Sequence, residues 1–407
     1  MKRHLLVAGI LILTMLLGCS PKAPVPLSPT QEAPPAEAPQ ETQVPTPSLT
    51  LEETPTPTLP PTTQETTPPP TPIPAPTTTP TPPPTPTGPY TGPLFDAHLH
   101  LGNMYMGTSA KLSSMKLKSA ADLLSYLDRD KIEGAIGFYY FEKDKSGSFV
   151  STAEAIIRGT RSRVIPLLQP EGDYWTQLAS GQYNEAVLRQ YLQPQGLLQG
   201  VGEVALYWPG SLSVTLDSPV MQTVFQVVND LKGIVMVHPS TVGMGGRLTE
   251  LAEVEPSIRK YPDAIFLFHG NAEVINLVTQ LMSKYPNVYL GYDTNIFYSR
   301  LLRYNLVAPT DTAADNAESF LANINQIVSD RLVEDGLERL PPLLQQYPDR
   351  IMWGTDLSKP WHFEEPVSDM VIKISRQLIG RLPADIQAKY AYQNAQRVFG
   401  HFLTPNP

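Results

Sequence analysis

The sequence contains a single cysteine, Cys19. With no second thiol there is no intramolecular disulfide, so whatever folds must be stabilised by its own core. Runs of Lys and Arg are absent and the formal net charge is −9. An electrostatic nucleic-acid binder is therefore not expected. The apolar run Leu5–Leu17 is shorter than the roughly 20 residues a bilayer-spanning helix needs. From Ser20 to Pro89 there is no Phe, Tyr or Trp, which leaves almost nothing from which to build a core. The motifs His-Glu-x-x-His, Gly-x-Ser-x-Gly and Gly-x-x-x-x-Gly-Lys are also missing.

The N-terminus has a basic stretch, Met1-Lys2-Arg3-His4, then the apolar run, then Gly18-Cys19-Ser20. That is the layout of a secretory signal. Leu16-Leu17-Gly18-Cys19 resembles the lipobox of bacterial lipoproteins. The resemblance implies removal of residues 1–18, lipidation of Cys19, and an extracytoplasmic protein anchored at the cell envelope through that lipid alone. An ordinary secretory signal with a chance cysteine is the alternative. Residues 19–93 then read as the lipidated cysteine and a disordered tether dominated by Pro, Thr, Ala, Glu and Gln. Extended polyproline segments rise about 3.1 Å per residue, so the tether spans on the order of 100 Å. Its Thr-Pro pairs suit O-glycosylation, and an unmodified spacer fits them equally.

The composition changes abruptly at Leu94, and residues 94–407 read as one domain. Eight strands are expected, at Leu94–Leu101, Gly134–Tyr140, Arg163–Gln169, Gly200–Leu206, Ile234–Pro239, Ala264–His269, Val288–Asp293 and Ile351–Asp356. Apolar residues spaced at three and four predict helices over Ala121–Ile132, Thr152–Ser162, Asn184–Leu192, Pro219–Leu231, Leu248–Lys260 and Glu273–Tyr285. Strands alternating with helices indicate parallel units, because each parallel pair needs a crossover. Eight such units suggest an α/β fold closed into a (β/α)8 TIM barrel, with a doubly wound open sheet as the alternative. Ile296–Asp349 exceeds one crossover and is expected to hold extra helices and a lid, with breaks at Gly336 and Pro341-Pro342.

Six of the seven histidines fall in this domain, and His98, His100, His238 and His269 fall at strand ends. The C-terminal ends of barrel strands are where active sites are assembled. In Asp96-Ala97-His98-Leu99-His100 the histidines are two apart, so on a strand both face one side and can grip one ion. A lone buried histidine is more often a core residue than a ligand, and Glu203 or Asp356 taken singly also has a structural explanation. Several titratable groups at one barrel mouth are costly to bury unless something compensates them, and a divalent cation does so.

Asp-x-His-x-His at the end of the first strand resembles the amidohydrolase superfamily of metal-dependent hydrolases. Glu203 at the end of strand four, His238 ending strand five, His269 ending strand six and Asp356 ending strand eight match the family pattern in order. Asn394–Gly400 looks like the closing helix of its amidohydrolase-related branch. The resemblance implies that His98, His100, Glu203, His238, His269 and Asp356 are metal ligands, with Glu203 bridging two ions. The amidohydrolase-related branch often uses one ion, so one or two stays open. Zinc suits the donor set, and manganese, iron or nickel would tolerate it.

The resemblance further implies that the ion activates water to hydrolyse a C–N, C–O or P–O bond, or supports a decarboxylation, in a small extracellular substrate, with Asp356 as the catalytic general base. Asp96 is expected to orient a ligand histidine or else to face solvent. Arg247, Tyr207, Trp208, Asp293 and His362 are candidates for substrate contact, as are Tyr292 and Trp361, although loop glycines and aromatic packing explain several of these positions equally. The alternative from another class is a lipoprotein that binds a ligand at an intact metal site and turns nothing over. A TatD-like nuclease fits less well, since the chain offers little positive charge for phosphates.

Overall fold

The computed structural model describes residues 88–101, 119–139, 151–169, 185–192, 197–206, 215–239, 248–269, 272–293, 317–326, 329–358 and 360–404. The expectations for the signal, for Cys19 and for most of the tether lie outside them, as do those for Tyr207, Trp208, Arg247 and the lid.

Eight strands follow in order: β1 Leu94–His100, β2 Ile132–Tyr139, β3 Val164–Leu168, β4 Gly200–Ala205, β5 Ile234–His238, β6 Ile265–His269, β7 Val288–Asp293 and β8 Ile351–Gly354. Each pairs in parallel with the next. Just beyond β8 the chain returns to β1. The Asp356 N–H donates to the His98 carbonyl at 2.9 Å, the His100 N–H donates to the Leu357 carbonyl at 3.0 Å, and Leu99 bridges Leu357 in parallel. The sheet is therefore a closed (β/α)8 barrel, and the open doubly wound alternative is excluded.

The helices are α1 Ala120–Arg129, α2 Ser151–Thr160, α3 Glu185–Tyr191, α4 Pro219–Asp230, α5 Leu251–Lys260, α6 Ala272–Lys284, α7 Ala317–Gln326, α8 Ser329–Gln346, α9 Glu365–Gly380, α10 Ala384–Ala388 and α11 Asn394–Phe399. Their starts follow from local chemistry. Ser119 caps α1 by accepting from the Asp122 N–H, and Ser218 caps α4 ahead of Pro219, whose missing N–H would have been unpaired there anyway. Leu123, Tyr126 and Leu127, at three and four, turn α1 onto the sheet. None of the helices among the described residues is long and apolar enough to cross a membrane.

Alternate strand residues build two separate cores. Leu94, Leu99, Val201, Val204, Val235 and Val237 pack outward against the helices. Phe95, Ala97, Ile136, Phe138, Ile165, Leu167, Ile234, Met236, Leu267 and Met352 fill the interior. The floor of that interior is closed by α11, where fully buried Phe399 meets Phe95 with ring centroids 6.5 Å apart and Tyr289 at 6.4 Å. Asn394 holds the plug in place by donating to the carbonyls of Pro348 and Ile351 just before and within β8.

Two expectations need correcting. Gly336 and Pro341-Pro342 do not break the chain, because α8 runs through all three. A proline inside a helix loses a backbone bond, but buried Leu332, Val333, Leu340, Leu343 and Leu344 hold α8 on the core. Gly336 marks close packing instead, since a Cβ there would lie 2.8 Å from Leu378 Cδ1 of α9. In addition, the described residues before Leu94, in the stretch expected as tether, pack on α9. The Tyr90 N–H donates to the Arg376 carbonyl at 2.8 Å, and the Arg376 guanidinium donates back to the carbonyls of Tyr90, Gly92 and Asp130 at 3.1, 2.9 and 2.8 Å.

Candidate metal centre

Two strands deliver their ligands by simple alternation. In β5, Ile234 and Met236 face the interior and His238 is next in the same column. In β6, Ile265 and Leu267 lead to His269. The other two need an extra residue. In β1 both Phe95 and Ala97 face inward, yet so do His98 and His100, whose rings rest on the Phe138 ring at 5.0 and 5.1 Å. The pairing with β2 shifts register between Asp96 and Leu99, and this irregularity moves the inward face from odd to even positions. In β4 a shift between Val201 and Val204 does the same for Glu203. Gly202 permits that close approach, since a Cβ there would lie 2.6 Å from the Met236 Cβ.

All six expected ligands converge at the mouth. His98 Nε2 lies 2.9 Å from His100 Nε2, and Asp356 Oδ1 lies 3.3 and 3.1 Å from these two nitrogens. Glu203 Oε2 is 3.6 Å from His100 Nε2, while its Oε1 is 2.9 Å from both His238 Nδ1 and His269 Nε2. Both ring nitrogens thus lie within hydrogen-bonding distance of this one buried oxygen. Among the described residues two triads have donor atoms close enough to share an ion, namely His98, His100 and Asp356, and His98, Glu203 and His269.

Among the described residues the site is largely buried. His98 and His100 are fully buried, and Glu203, His238 and His269 nearly so. Asp356 is the most open, with 14 % of its side chain exposed. Burial alone would push the Glu203 carboxyl up, but the charges and hydrogen bonds of His238 and His269 together outweigh it and hold the carboxyl well below the usual carboxylate range. Burial likewise opposes a charged His100, yet its hydrogen bond to Asp356 and the charges of Glu203 and Asp356 raise it above an ordinary imidazole. Glu203 and the partly exposed Asp356 bring two negative charges against four rings that each carry only one N–H when neutral. Added protons or a cation resolve that arrangement, and the donor set fits a divalent metal.

Asp356 follows β8 with φ of 54°, in the left-handed region that Asp tolerates better than most residues. Asp96 does not lie in solvent. It is fully buried, with Oδ1 accepting from the N–H groups of His98 and Thr355 at 3.0 and 2.9 Å and Oδ2 accepting from Thr355 Oγ1 at 2.6 Å. It thereby clamps β1 to the end of β8, and so positions His98 and Asp356 through their backbones.

Among the proposed substrate contacts, His362 is buried in the turn Pro360–Phe363. Its Nδ1 accepts from the Ser358 N–H at 3.0 Å, and its ring stands edge-on to Trp361 at 4.2 Å. It braces the loop after β8. Tyr292 is buried in the outer core, where the Tyr390 hydroxyl donates to its carbonyl at 2.8 Å. Asp293 ends β7 in register with Gly354, and its side chain, like Tyr207, Trp208 and Arg247, lies outside what is described.

One residue at the mouth was missed by sequence reasoning. Gln169, just after β3 and almost fully buried, follows Ile165 and Leu167 in the inward column, and its Oε1 lies 3.1 Å from His100 Nδ1. The signal available was an amide continuing an inward apolar column at a strand's C-terminal end.

No protein-family model matches the chain, and no curated protein does. Solved structures similar to it include a probable 2-pyrone-4,6-dicarboxylic acid hydrolase from Acinetobacter baumannii with citric acid bound, at 13 % identity over 75 % of this chain and 99 % of that one, TM-score 0.41. A dihydroorotase from Campylobacter jejuni is similar at 14 % identity over 76 % and 83 %, TM-score 0.43. An amidohydrolase from Burkholderia multivorans with bound zinc is similar at 12 % identity over 76 % and 99 %, TM-score 0.39. The barrel assignment rests on the chain's own strand pairing, and likeness at this level says nothing of what the site does.

Proposed function

We propose that this protein is a metal-dependent hydrolase of the amidohydrolase type, acting on a C–N, C–O or P–O bond of a small substrate outside the cytoplasm, with decarboxylation as the related outcome at the same site. The observation that carries the reading is the convergence of four imidazole nitrogens and two carboxylates at one largely buried mouth. His98, His100 and Asp356 would hold one ion. His238 and His269 would hold a second, with Glu203 between them. Zinc suits these donors, and manganese, iron or nickel would fit the same set.

Such an ion, when bound, supplies a nucleophile at neutral pH by lowering the pKa of water to about 7. Asp356, the most solvent-accessible of the six, accepts the proton of the attacking water and hands it to the leaving group. Its backbone tie to His98 and the Asp96 clamp at Thr355 fix the carboxylate while it does so. Glu203 stays anionic, and the apolar interior beneath Phe138 keeps bulk water from the site's underside.

Screening lactones, amides, phosphotriesters and carboxylic acids with the full chain tests this. Asp356→Asn should retain metal while turnover falls by about 10²–10⁴. Unchanged turnover contradicts the base assignment, and wild-type protein free of metal contradicts the whole reading.

The same proposal places the enzyme at the cell envelope, held by lipid on Cys19, as the stretch Leu16-Leu17-Gly18-Cys19 supports. Cys19→Ala should move the protein from the membrane fraction to the soluble one. A variant that stays with membranes argues against the anchor.

A further inference from the structure

We infer that Gln169 is a positioning residue for the metal centre, selecting the tautomer of His100 that turns a bare Nε2 toward the ion. The inference rests on the metal reading above and concerns a residue which that reading does not use.

Three observations carry it. Gln169 Oε1 is 3.1 Å from His100 Nδ1, and an amide oxygen can only accept, so the shared proton sits on Nδ1. A neutral imidazole with its proton on Nδ1 has a lone pair on Nε2, the atom that lies 2.9 Å from His98 Nε2 and 3.1 Å from Asp356 Oδ1. Gln169 is also itself held in place: it is 2 % exposed, and its N–H donates to the Tyr139 carbonyl at 3.0 Å, tying the end of β3 to β2. When an ion displaces the Nε2 proton that His100 shares with Asp356, the proton on Nδ1 stays with Gln169, so ring angle and the remaining tautomer are both set by a neutral partner. An amide orients the ring without adding a third negative charge to a mouth that already buries Glu203 and Asp356.

Zinc binding by the full chain, measured by competition with a chromogenic chelator, tests this through two variants. Gln169→Met keeps the volume and removes the acceptor, and Gln169→Glu keeps the acceptor. Gln169→Met should bind zinc about 10–100-fold more weakly, and Gln169→Glu should return affinity to within a few fold of wild type. Equal zinc affinity in wild type and Gln169→Met overturns the inference and leaves the metal reading standing. Equal loss in both variants assigns Gln169 to packing alone, which also overturns it. Wild-type protein that binds no zinc removes the metal reading itself. Should Gln169→Met not fold, histidine-labelled wild type gives the answer by NMR. A slowly exchanging His100 Nδ1–H in the zinc-loaded protein is expected, and one that exchanges as fast as an exposed imidazole overturns the inference.

Discussion

The floor and the mouth of this barrel are built from the same inward columns of side chains but by opposite rules. At the floor the columns hold Phe95, Ile234, Ile265, Tyr289 and Met352, and the plug adds Phe399 and Val398. At the mouth the same columns hold His98, His100, Gln169, Glu203, His238 and His269. Apolar area and close packing hold the floor together, with Asn394 pinning the plug to the start of β8. The mouth concentrates groups that resist burial and stay together only if charge is supplied. Stability and metal binding are thus separated along one axis.

The sharpest way to break that comparison is to exchange effects between the two ends. Phe399→Ala removes a fully buried ring from the plug and should cost about 3–5 kcal/mol of stability. Denaturant titration of the zinc-loaded protein reads that loss, while zinc per folded molecule stays unchanged. Stripping zinc with a chelator should act the other way, lowering stability by about 2.7 kcal/mol relative to protein held at zinc 100-fold above Kd, with far-UV circular dichroism unchanged. If Phe399→Ala empties the site, or if chelation unfolds the barrel, the two ends are not separable.

Much of this axis was legible in the sequence. The runs Val235-Met236-Val237-His238 and Phe266-Leu267-Phe268-His269 show buried strands ending in a polar residue, and alternation alone puts both rings inside. The spacing of His98 and His100 correctly implied one shared face. Which face it would be was not legible, because Phe95 and Ala97 occupy the interior at odd positions and only the irregular pairing with β2 brings even positions inward. Gln169 escaped notice because an amide after a strand is ordinary until its partner, 69 positions earlier in the chain, is known. The docking of Gly88–Pro93 on α9 was hidden for the same reason. Its Pro- and Gly-rich composition reads as linker, and what orders it is Arg376, distant in sequence. Local propensity also misread α8, whose prolines and glycine are outweighed by a buried leucine face.

Gly202 lies where the two rules meet, and its substitution should have the smallest effect on stability of these changes. A methyl group there would fall 2.6 Å from Met236 Cβ and 3.2 Å from the Met236 backbone nitrogen. Strands β4 and β5 would have to separate, and overpacking of this kind costs about 1–3 kcal/mol. The separation would carry Glu203 away from His238 and His269, whose ring nitrogens are both 2.9 Å from its Oε1. Gly202→Ala should therefore weaken zinc binding by more than its thermal shift suggests, whereas Phe399→Ala should lower stability and spare the metal. Measuring both quantities on both variants decides the point. If Gly202→Ala loses stability but keeps full zinc affinity, the register of β4 does not set the position of Glu203, and the bulged strands are packing features rather than the means by which the mouth is assembled.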